Sequence, residues 1–386
     1  MSQDIYFRRD LRVGILGGGQ LGKMLCLAAA PLDIKTYILD ASPDFPAAKL
    51  CEQFVVGDFA NYDDVLNFGR LVDIVTIEIE HVNTDALRQL VAEGKQVHPH
   101  PDILDTIKDK GLQKQFYEAN HLAAPPFVMF DDAEAVRIAV NEGKLVLPFV
   151  QKSRTAGYDG KGVHIVRVFS DLDNLLEGAC ITEPLVDIAT EIAVIVARNT
   201  HGQTVTFDAV SMDFHPTANL VEWLVCPAGL SPLQAAEAEI LATKVAETYQ
   251  ICGLLAVELF LTTDGKWLVN EVAPRPHNSG HHSIEACQTS QFEQHLRAIC
   301  GLPLGDTTLR SPAVMINLLG EPNFTGPVVY EGIEKSLGIS GVHIHLYGKQ
   351  TTKPYRKMGH ATIIADTLTE ARNKATIVKN TMKIKA

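Results

Sequence analysis

Two apolar segments in the second half of the chain carry acids where a simple strand pair would not. Residues 254–262 and 266–272 have the composition of β-strands, and an Asp-Gly pair between them is typical of a hairpin turn. The first segment has a single acid, Glu258, and the second contains Asn270 and Glu271. Because side chains alternate between the two faces of a strand, we expect these three polar groups to converge on one face of a hairpin.

Two carboxylates that share an apolar hairpin repel each other unless a cation lies between them. Glu258 and Glu271, with the amide oxygen of Asn270, offer hard oxygen ligands and leave several coordination positions open. Such a set suits Mg²⁺ that also carries the phosphates of a nucleotide. The sequence therefore predicts a magnesium and phosphate site; the alternative is a partly exposed hairpin with two surface acids.

The segment that follows the hairpin favours the first interpretation. Residues 273–282 combine two prolines with several hydrogen-bond donors, among them Arg275, His277, Asn278 and Ser279. This composition is too polar for a core and predicts a rigid turn that lines a site.

The composition restricts the classes of function. A chain of 386 residues is long enough for two or three domains, and its net charge of −12 without a basic run argues against a nucleic-acid partner. The seven cysteines include no C-x-x-C spacing, so we expect reduced thiols in a cytoplasmic protein rather than disulfides or a zinc site. No apolar run reaches the length of a membrane span, and residues 1–11 are typical of a loosely attached leader rather than a signal peptide.

The N-terminal segment predicts a doubly wound α/β domain. A buried strand at residues 12–16 leads through a glycine-rich turn into a helix over 23–30. The turn fits a dinucleotide fingerprint that ends at Asp40, and it also approaches a P-loop, although Met24 stands where that motif needs a hydroxyl. Under both interpretations the N–H groups at the helix N-terminus suit an anion such as a phosphate, and tight packing alone is the remaining alternative.

Further βα units follow up to about residue 108, where we place the end of this domain. Glu78 and Glu80 come directly after the predicted strand 74–77. Ligands of open α/β sheets bind at the carboxyl ends of the strands, so both acids are candidates for contact with a substrate. Solvated loop acids are an equally good interpretation.

A glycine-rich loop lies between the predicted strands 145–152 and 163–168. The loop and the strand end before it combine glycines, cations and two further polar groups: Lys152, Arg154, Gly157, Tyr158, Asp159, Gly160, Lys161 and Gly162. Backbone N–H groups of such a loop can cover phosphates while the lysines supply positive charge, which a simple glycine hairpin would not need. We therefore predict a phosphate-covering lid here.

Two further segments are candidates for ligand contact. The segment from Glu183 to Val186 joins two predicted sheets and can hold the edge of an adenine against its backbone, or it is only a linker. Four cations and a histidine lie close together between Lys349 and His360, which predicts an anion site in an otherwise acidic chain. A solvated charged loop is the alternative.

The order of these features resembles the ATP-grasp superfamily and, within it, the family of N5-carboxyaminoimidazole ribonucleotide synthases. The resemblance rests on motifs that span most of the chain, at residues 17–22, 154–162, 270–275, 277–281, 314–318 and 356–360. It implies a mixed α/β and α+β architecture with three domains. These are an N-terminal doubly wound parallel sheet (12–108), a central ATP-grasp domain of two subdomains (109–310) with its lid at about 126–182, and a small β-rich C-terminal domain (311–386).

The resemblance implies a reaction that joins bicarbonate to the amine of 5-aminoimidazole ribonucleotide at the expense of ATP, through carboxyphosphate, in purine synthesis. It further implies Mg²⁺, or Mn²⁺ in its place, no biotin, small-molecule ligands rather than nucleic acid or membrane, and a cytoplasmic homodimer. Because water destroys an acyl phosphate, a closing lid is expected.

The resemblance also implies roles for individual residues. The metal contacts are Glu258, Asn270 and Glu271. The ATP contacts are Lys110, Lys152, Gly157, Tyr158, Asp159, Gly160, Lys161, Gly162, Glu183, Val186, Glu191, His215, Asn270 and Glu271. Bicarbonate and carboxyphosphate meet Arg275, Asn278 and Ser279, with His277, Tyr158 and Asp159 as groups that donate hydrogen bonds or move protons. The ribonucleotide contacts are Gln20, Leu21, Glu78, Glu80, Lys349 and Arg356.

Three features depart from the family pattern: Ala156 in place of a glycine, Pro276 in place of a valine-like residue, and a longer segment between Lys349 and Arg356. Only the third affects an assignment, that of the ribonucleotide phosphate. Three alternatives stay open: a formate-dependent transformylase or glycinamide ribonucleotide ligase of the same superfamily, an NAD-dependent oxidoreductase built on the glycine turn and Asp40, and a non-catalytic nucleotide-sensing module.

Overall fold

The computed structural model describes residues 7–8, 10–155, 162–214 and 220–386. Its N-terminal part is a parallel sheet with the order β3-β2-β1-β4-β5, whose strands are β1 (Arg12–Leu16), β2 (Lys35–Asp40), β3 (Gln53–Val56), β4 (Ile74–Ile77) and β5 (Gln96–Val97). The connecting helices are α1 (Gln20–Ala29), α2 (Tyr62–Arg70) and α3 (Thr84–Ala92). The strand order reverses between β1 and β4, so the predicted doubly wound sheet is confirmed, with its switch point beside the glycine turn.

Helix α1 begins at Gln20, whereas the sequence predicted a start at residue 23. Gly19 is its N-cap, and the carboxylate of Glu78 accepts the N–H groups of Gly19 and Gly22, each at 2.5 Å. A side chain from the end of β4 thus satisfies donors of the first helical turn that would otherwise be unpaired. This support from another strand allows the helix to start three residues earlier than the glycines suggest.

The segment predicted to form a lid contains a small antiparallel sheet with the order β6-β9-β7-β8, which we call the lid sheet, covered by helix α6 (Ala133–Asn141). Its strands are β6 (Val128–Phe130), β7 (Phe149–Ser153), β8 (Val163–Val166) and β9 (Cys180–Pro184). Strand β7 starts four residues later than predicted because Pro148 lacks the N–H that a ladder needs, and β8 stops two residues early.

Two helices, α4 (Pro101–Lys108) and α5 (Lys110–Ala119), connect the N-terminal sheet to the lid. Asp109 caps α5 by accepting the N–H groups of Gly111 and Leu112 at 2.8 and 3.2 Å. The same carboxylate holds both sides of the Arg154 guanidinium, at 2.6 and 2.9 Å. The start of α5 is therefore tied to the end of β7, where the glycine-rich loop begins.

The largest sheet of the described residues has the order β15-β14-β10-β12-β13-β16-β21-β19, with β11 attached to β10. Its central strands are β10 (Ile188–Arg198), β11 (Thr204–Thr206), β12 (Val210–Phe214), β13 (Val221–Cys226), β14 (Gly253–Thr262) and β15 (Trp267–Ala273). Helix α7 (Pro232–Thr248) packs its small side chains Ala238, Ala242 and Ala246 onto β10 and β14, which closes the core of this half.

The three longest C-terminal strands continue this sheet. Strand β16 (Ala313–Leu319) pairs with the open edge of β13, and β19 (Val342–Leu346) and β21 (Lys357–Ile364) follow it. Pairing removes an exposed edge from the central sheet. The large sheet therefore crosses the boundary predicted at residue 311, and the division into domains stays a prediction.

The remaining elements are short or lie on the outside of these sheets: α8 (Ser283–Ala286), α9 (Gln291–Ile299), β17 (Gly326–Pro327), β18 (Val329–Glu331), α10 (Ile333–Leu337), β20 (Thr351–Thr352), α11 (Leu368–Thr381) and β22 (Lys383–Lys385). Across the described ranges, the helices are all too short or too polar to cross a membrane.

Candidate active site

The predicted acidic hairpin exists, but its polar groups converge for a different reason from the one expected. Strict alternation along β15 would send the neighbours Asn270 and Glu271 to opposite faces. In the ladder Glu258 opposes Glu271 and Leu259 opposes Val269, so Asn270 is the extra residue of a β-bulge. The bulge turns both polar side chains toward Glu258, and Asn270 Nδ2 lies 3.5 Å from Glu258 Oε2.

The charges around the hairpin favour the binding of a cation. Burial raises the pKa of Glu258, and the charges of Glu271 and Glu191 raise it further. Burial and Glu271 also raise the pKa of Glu191 to about 7. Glu271 is held ionised with a lowered pKa, because the ammonium group of Lys110 contacts its Oε2. The carboxylates therefore repel one another, and one ammonium group relieves only part of the repulsion.

The donor set fits a hard divalent ion. Two carboxylates and one amide oxygen would leave most coordination positions to phosphate oxygens and water, as Mg²⁺ prefers. The described part of the chain contains no group of three or more His, Cys, Asp or Glu side chains arranged to hold a metal. A cation here would thus depend on a ligand to complete its shell.

A first cavity of about 350 Å³ lies between the lid sheet and the large sheet. Its apolar wall suits a flat aromatic base, with Val150, Val163, Ile165, Leu185, Val186, Met212, Phe214 and Phe260. Glu183 lines it too, but its carboxylate is 2.6 Å from Lys114 Nζ and 2.8 Å from Lys152 Nζ. A base bound here would therefore meet the backbone of Glu183 rather than its carboxylate, and we call this space the nucleotide cavity.

A second cavity of about 660 Å³ opens between the N-terminal sheet and the hairpin. Gln20 and Leu21 line it from the start of α1, with Glu78 and Glu80 beside them, as predicted for one ligand. Glu80 Oε1 lies 2.7 Å from Arg275 Nε. The two carboxylate oxygens of Glu78, in contrast, accept N–H groups at the N-terminus of α1. Glu78 therefore lines the cavity but offers a ligand little free acceptor capacity.

The two cavities share one wall, and the shared residues are the charged and polar ones: Lys110, Glu258, Glu271, His277, Asn278 and Lys357. A ligand tail that leaves the nucleotide cavity meets a ligand in the second cavity across this wall. Two ligands bound in these cavities would therefore lie next to each other, which is the proximity that group transfer between two small molecules requires.

The donor-rich turn after β15 is fixed by residues that the sequence analysis missed. Gln291 accepts the N–H of His277 at 2.9 Å and donates to its carbonyl at 2.8 Å. Asn278 and Asn317 exchange two side-chain hydrogen bonds of 2.9 Å. Ser279 lines the nucleotide cavity, with its hydroxyl 2.9 Å from His277 Nδ1. Neither Gln291 nor Asn317 shows a local signal in the sequence, because each acts across a long separation.

The structure does not bring Lys349 and Arg356 to the cavity where a phosphate was expected. Arg356 Nη1 donates to the carbonyl of Thr351 at 2.7 Å, and Lys349 Nζ donates to that of Lys357 at 2.8 Å. It is Lys357, from the same basic patch, that lines both cavities.

Several predicted ATP contacts lie outside the described residues: Gly157, Tyr158, Asp159, Gly160, Lys161 and His215. At the edge of this gap, Gly162 adopts a φ of 78°, which favours glycine, and its carbonyl accepts the N–H of Ser153 at 2.9 Å. This hydrogen bond joins the two ends of the predicted loop.

The alternative of a dinucleotide site finds no support at the glycine turn. In such a site the acid at the end of the second strand binds a ribose hydroxyl. Here Asp40 is buried, and its Oδ2 accepts the N–H of Gly18 at 2.6 Å. The carboxylate closes the turn instead of facing a ligand.

Fold and site together define an ATP-grasp enzyme, and the comparison with known families agrees. Three family models match in succession: a ribonucleotide synthetase preATP-grasp domain at residues 11–108, an ATP-grasp domain at 115–292 and a phosphoribosylaminoimidazole carboxylase C-terminal domain at 313–374. The N5-carboxyaminoimidazole ribonucleotide synthase of Bacillus subtilis is 35% identical, with 94% of each chain covered. The chain belongs to the N5-carboxyaminoimidazole ribonucleotide synthase family.

Two further relatives define the extent of the likeness. A phosphoribosylaminoimidazole carboxylase of Schizosaccharomyces pombe is 38% identical over 94% of this chain, which spans only 66% of that relative's length. The N5-carboxyaminoimidazole synthase of Aspergillus clavatus, solved with ADP and 5-aminoimidazole ribonucleotide, is 31% identical. It superposes with a TM-score of 0.88 and with 96% of this chain and 98% of that chain covered.

Proposed function

We propose that the protein uses ATP to join bicarbonate to the exocyclic amine of 5-aminoimidazole ribonucleotide, forming N5-carboxyaminoimidazole ribonucleotide in purine synthesis. The observation that carries this proposal is the pair of cavities that meet at one charged wall. Family membership supports it, as does the relative solved with ADP and the same ribonucleotide.

The chemistry divides into two transfers. An oxygen of bicarbonate attacks the γ-phosphorus of ATP, which releases ADP and leaves carboxyphosphate. The amine nitrogen then attacks the carboxyl carbon, either of carboxyphosphate or of CO₂ released from it, while phosphate departs and the nitrogen gives up a proton. Phosphoryl transfer needs alignment and cations against the developing charge more than covalent help from the protein.

The residues of the shared wall and its neighbours supply these requirements. Lys110 and Lys152 would hold the phosphates of ATP, whose base occupies the apolar part of the nucleotide cavity next to Val186. Arg275 stands in the second cavity with a fixed charge, which suits it to bicarbonate and carboxyphosphate. Asn278, held by Asn317, would orient the same anion.

The ribonucleotide would lie in the second cavity, with its phosphate near Gln20, Leu21 and Lys357, all of which line that space. Glu80 and Arg275 lie on the same wall. For the metal we propose Glu258, Asn270 and Glu271 as protein ligands of Mg²⁺, or Mn²⁺ in its place. Such an ion would neutralise the phosphate charge that the lysines leave.

The mechanism has no step that needs biotin, since carboxyphosphate delivers its carboxyl group directly. We further propose the three-domain division given by the sequence, a homodimeric assembly and a cytoplasmic location, on the strength of the family resemblance. All seven cysteines lie in the described residues and are free thiols.

The experiment is to measure ADP formation by the purified protein with ATP and Mg²⁺ while bicarbonate and the ribonucleotide are supplied or omitted in turn. We expect turnover only with both, no rescue by formate, and a loss of at least two orders of magnitude in Glu271→Gln. Replacing the exposed Glu247 on α7 by glutamine is the matched control and should leave the rate unchanged. ADP formation that ignores the ribonucleotide, or that requires formate, would overturn the proposal.

A further inference from the structure

A buried lysine that lines neither cavity stands behind the nucleotide cavity. Lys114 lies on α5 with its side chain 2% exposed, and its Nζ is 2.6 Å from Oε1 of Glu183, whose side chain is 3% exposed. Lys110, four residues earlier on the same helix, reaches the shared wall. The spacing places both ammonium groups on one face of the helix, one at the ligand and one behind it.

The same carboxylate holds a second cation. Lys152 Nζ lies 2.8 Å from Oε2 of Glu183 and donates a hydrogen bond of 3.0 Å to Oδ1 of Asn270. Lys152 and Asn270 both line the nucleotide cavity. Glu183 therefore lies between two lysines and gives one oxygen to each.

An isolated Glu183–Lys152 pair would already have no net charge. Charge balance therefore does not explain why Lys114 is buried beside it. Burying an ammonium group costs several kcal/mol in desolvation. Burial lowers the pKa of Lys114 to about 8, even though Glu183 opposes this shift. Burial also acts to raise the pKa of Glu183, but the two lysines outweigh it and the net shift is downward. The cluster thus places the side chains of two lysines against a single carboxylate.

We infer that Lys114 is a positioning residue that keeps the charge of Lys152 available to the phosphates of a nucleotide. By occupying one oxygen of Glu183, it prevents that carboxylate from pairing with Lys152 alone. Lys152 then shares its donors between one carboxylate oxygen, Asn270 and the cavity. Without Lys114, Glu183 would neutralise Lys152 and draw it away from the ligand. The inference rests on the proposed function only in requiring that ATP binds in this cavity.

The inference predicts that Lys114 affects the binding of the phosphates of the ligand but not the binding of its base. In Lys114→Met we expect the dissociation constant for ATP to rise about tenfold or more, while that for adenosine changes by less than twofold. Isothermal titration calorimetry on the full chain measures both. Lys244→Met, which removes an exposed lysine of α7, is the matched control and should leave both constants unchanged.

A double-mutant cycle with Glu183→Gln distinguishes positioning from a structural role. In the Glu183→Gln background there is no carboxylate to neutralise Lys152. Adding Lys114→Met should therefore no longer weaken ATP binding. This comparison also covers the case in which the single Lys114→Met variant fails to fold, because the double variant lacks the unbalanced carboxylate.

Two results would overturn the inference: equal losses for ATP and adenosine in Lys114→Met, or a persistent loss of ATP affinity when Lys114 is replaced in the Glu183→Gln background. A wild-type protein that bound no ATP at all would contradict the proposed function itself. Because that result concerns the unmodified chain, the two failures are distinguishable.

Discussion

Replacing Glu258 by glutamine should make the protein more stable while it abolishes activity. Glu258 and Glu271 are direct cross-strand partners, and the Glu258 side chain is only 15% exposed. Burial, Glu271 and Glu191 all disfavour its charged form and raise its pKa. Glutamine keeps the shape and the hydrogen-bonding capacity of the side chain but removes the charge, so the repulsion disappears together with a proposed metal ligand.

The size of the effect follows from Coulomb's law. Directly opposed side chains of an antiparallel pair lie about 5 Å apart, and two unit charges at that distance interact by roughly 3 kcal/mol at an effective dielectric constant of about 20. The contact of Lys110 with Glu271 offsets part of this repulsion. We therefore expect a net gain of about 1–2 kcal/mol, or a rise in Tm of roughly 2–5 °C for a domain of about 200 residues, the length predicted for the central domain.

The pH dependence gives the prediction its sign. The pKa of Glu258 is higher in the folded state than in the unfolded state. Ionisation of this group therefore opposes folding more strongly as the pH rises from the unfolded-state pKa to the folded-state pKa. Near pH 5 the folded wild type keeps the proton and resembles the variant. The difference in Tm between Glu258→Gln and the wild type should therefore grow from pH 5 to pH 8.

Differential scanning calorimetry without added nucleotide, at several pH values, measures this difference, and ADP formation is followed in parallel. The Glu247→Gln variant should match the wild type in both measurements, because Glu247 is an exposed residue of α7. A Glu258→Gln protein that melts at or below the wild-type temperature at pH 8 would refute the reasoning about like charges. A variant that is stabilised but keeps its turnover would refute the metal assignment.

Two further perturbations test the second cavity and the tie between lid and helix. Arg275→Ala should lose roughly 3 kcal/mol of transition-state stabilisation, about two orders of magnitude in kcat, with nearly unchanged ATP affinity. Steady-state kinetics and calorimetry measure the two quantities. Equal losses in kcat and in ATP affinity would show that the side chain is structural. Asp109→Ala removes the cap of α5 and the partner of Arg154, so we expect a loss of roughly 2 kcal/mol in stability and faster amide hydrogen exchange in the first turn of α5. Unchanged protection of that turn would show that the cap contributes little.

Local sequence patterns predicted the two strands of the acidic hairpin to within one residue. The hairpin strands were expected at 254–262 and 266–272 and are found at Gly253–Thr262 and Trp267–Ala273. Such agreement is expected because buried strands and an Asp-Gly turn are short-range signals. The convergence of Asn270 with Glu258 was also expected, although alternation was the wrong reason for it.

The features of the site that could not be predicted from the sequence depend on strand register and on which side chains pair with each other. A bulge is a property of two paired strands, so no pattern within β15 alone reveals that Asn270 is the extra residue. The glycine turn looked open to a phosphate, yet Glu78 satisfies its donors from another strand. Lys357 rather than Arg356 lines the cavities because loop geometry decides between neighbouring cations. Each of these outcomes involves residues far apart in the chain.

The balance of charges around the shared wall suggests why nucleotide and cation would bind together. Lys110 contacts Glu271, and the same lysine lines the nucleotide cavity. Burial acts to lower the pKa of Lys110, but the charge of Glu271 outweighs it and raises the pKa, so this lysine stays protonated by virtue of its carboxylate partner. A divalent ion that took over Glu271 would release Lys110 toward a phosphate, and a phosphate would in turn replace the carboxylate that keeps Lys110 charged. Because each ligand would restore the partner that the other removes, binding of either one alone would leave a buried charge poorly compensated, and we expect the site to favour the metal–nucleotide complex over its separate parts.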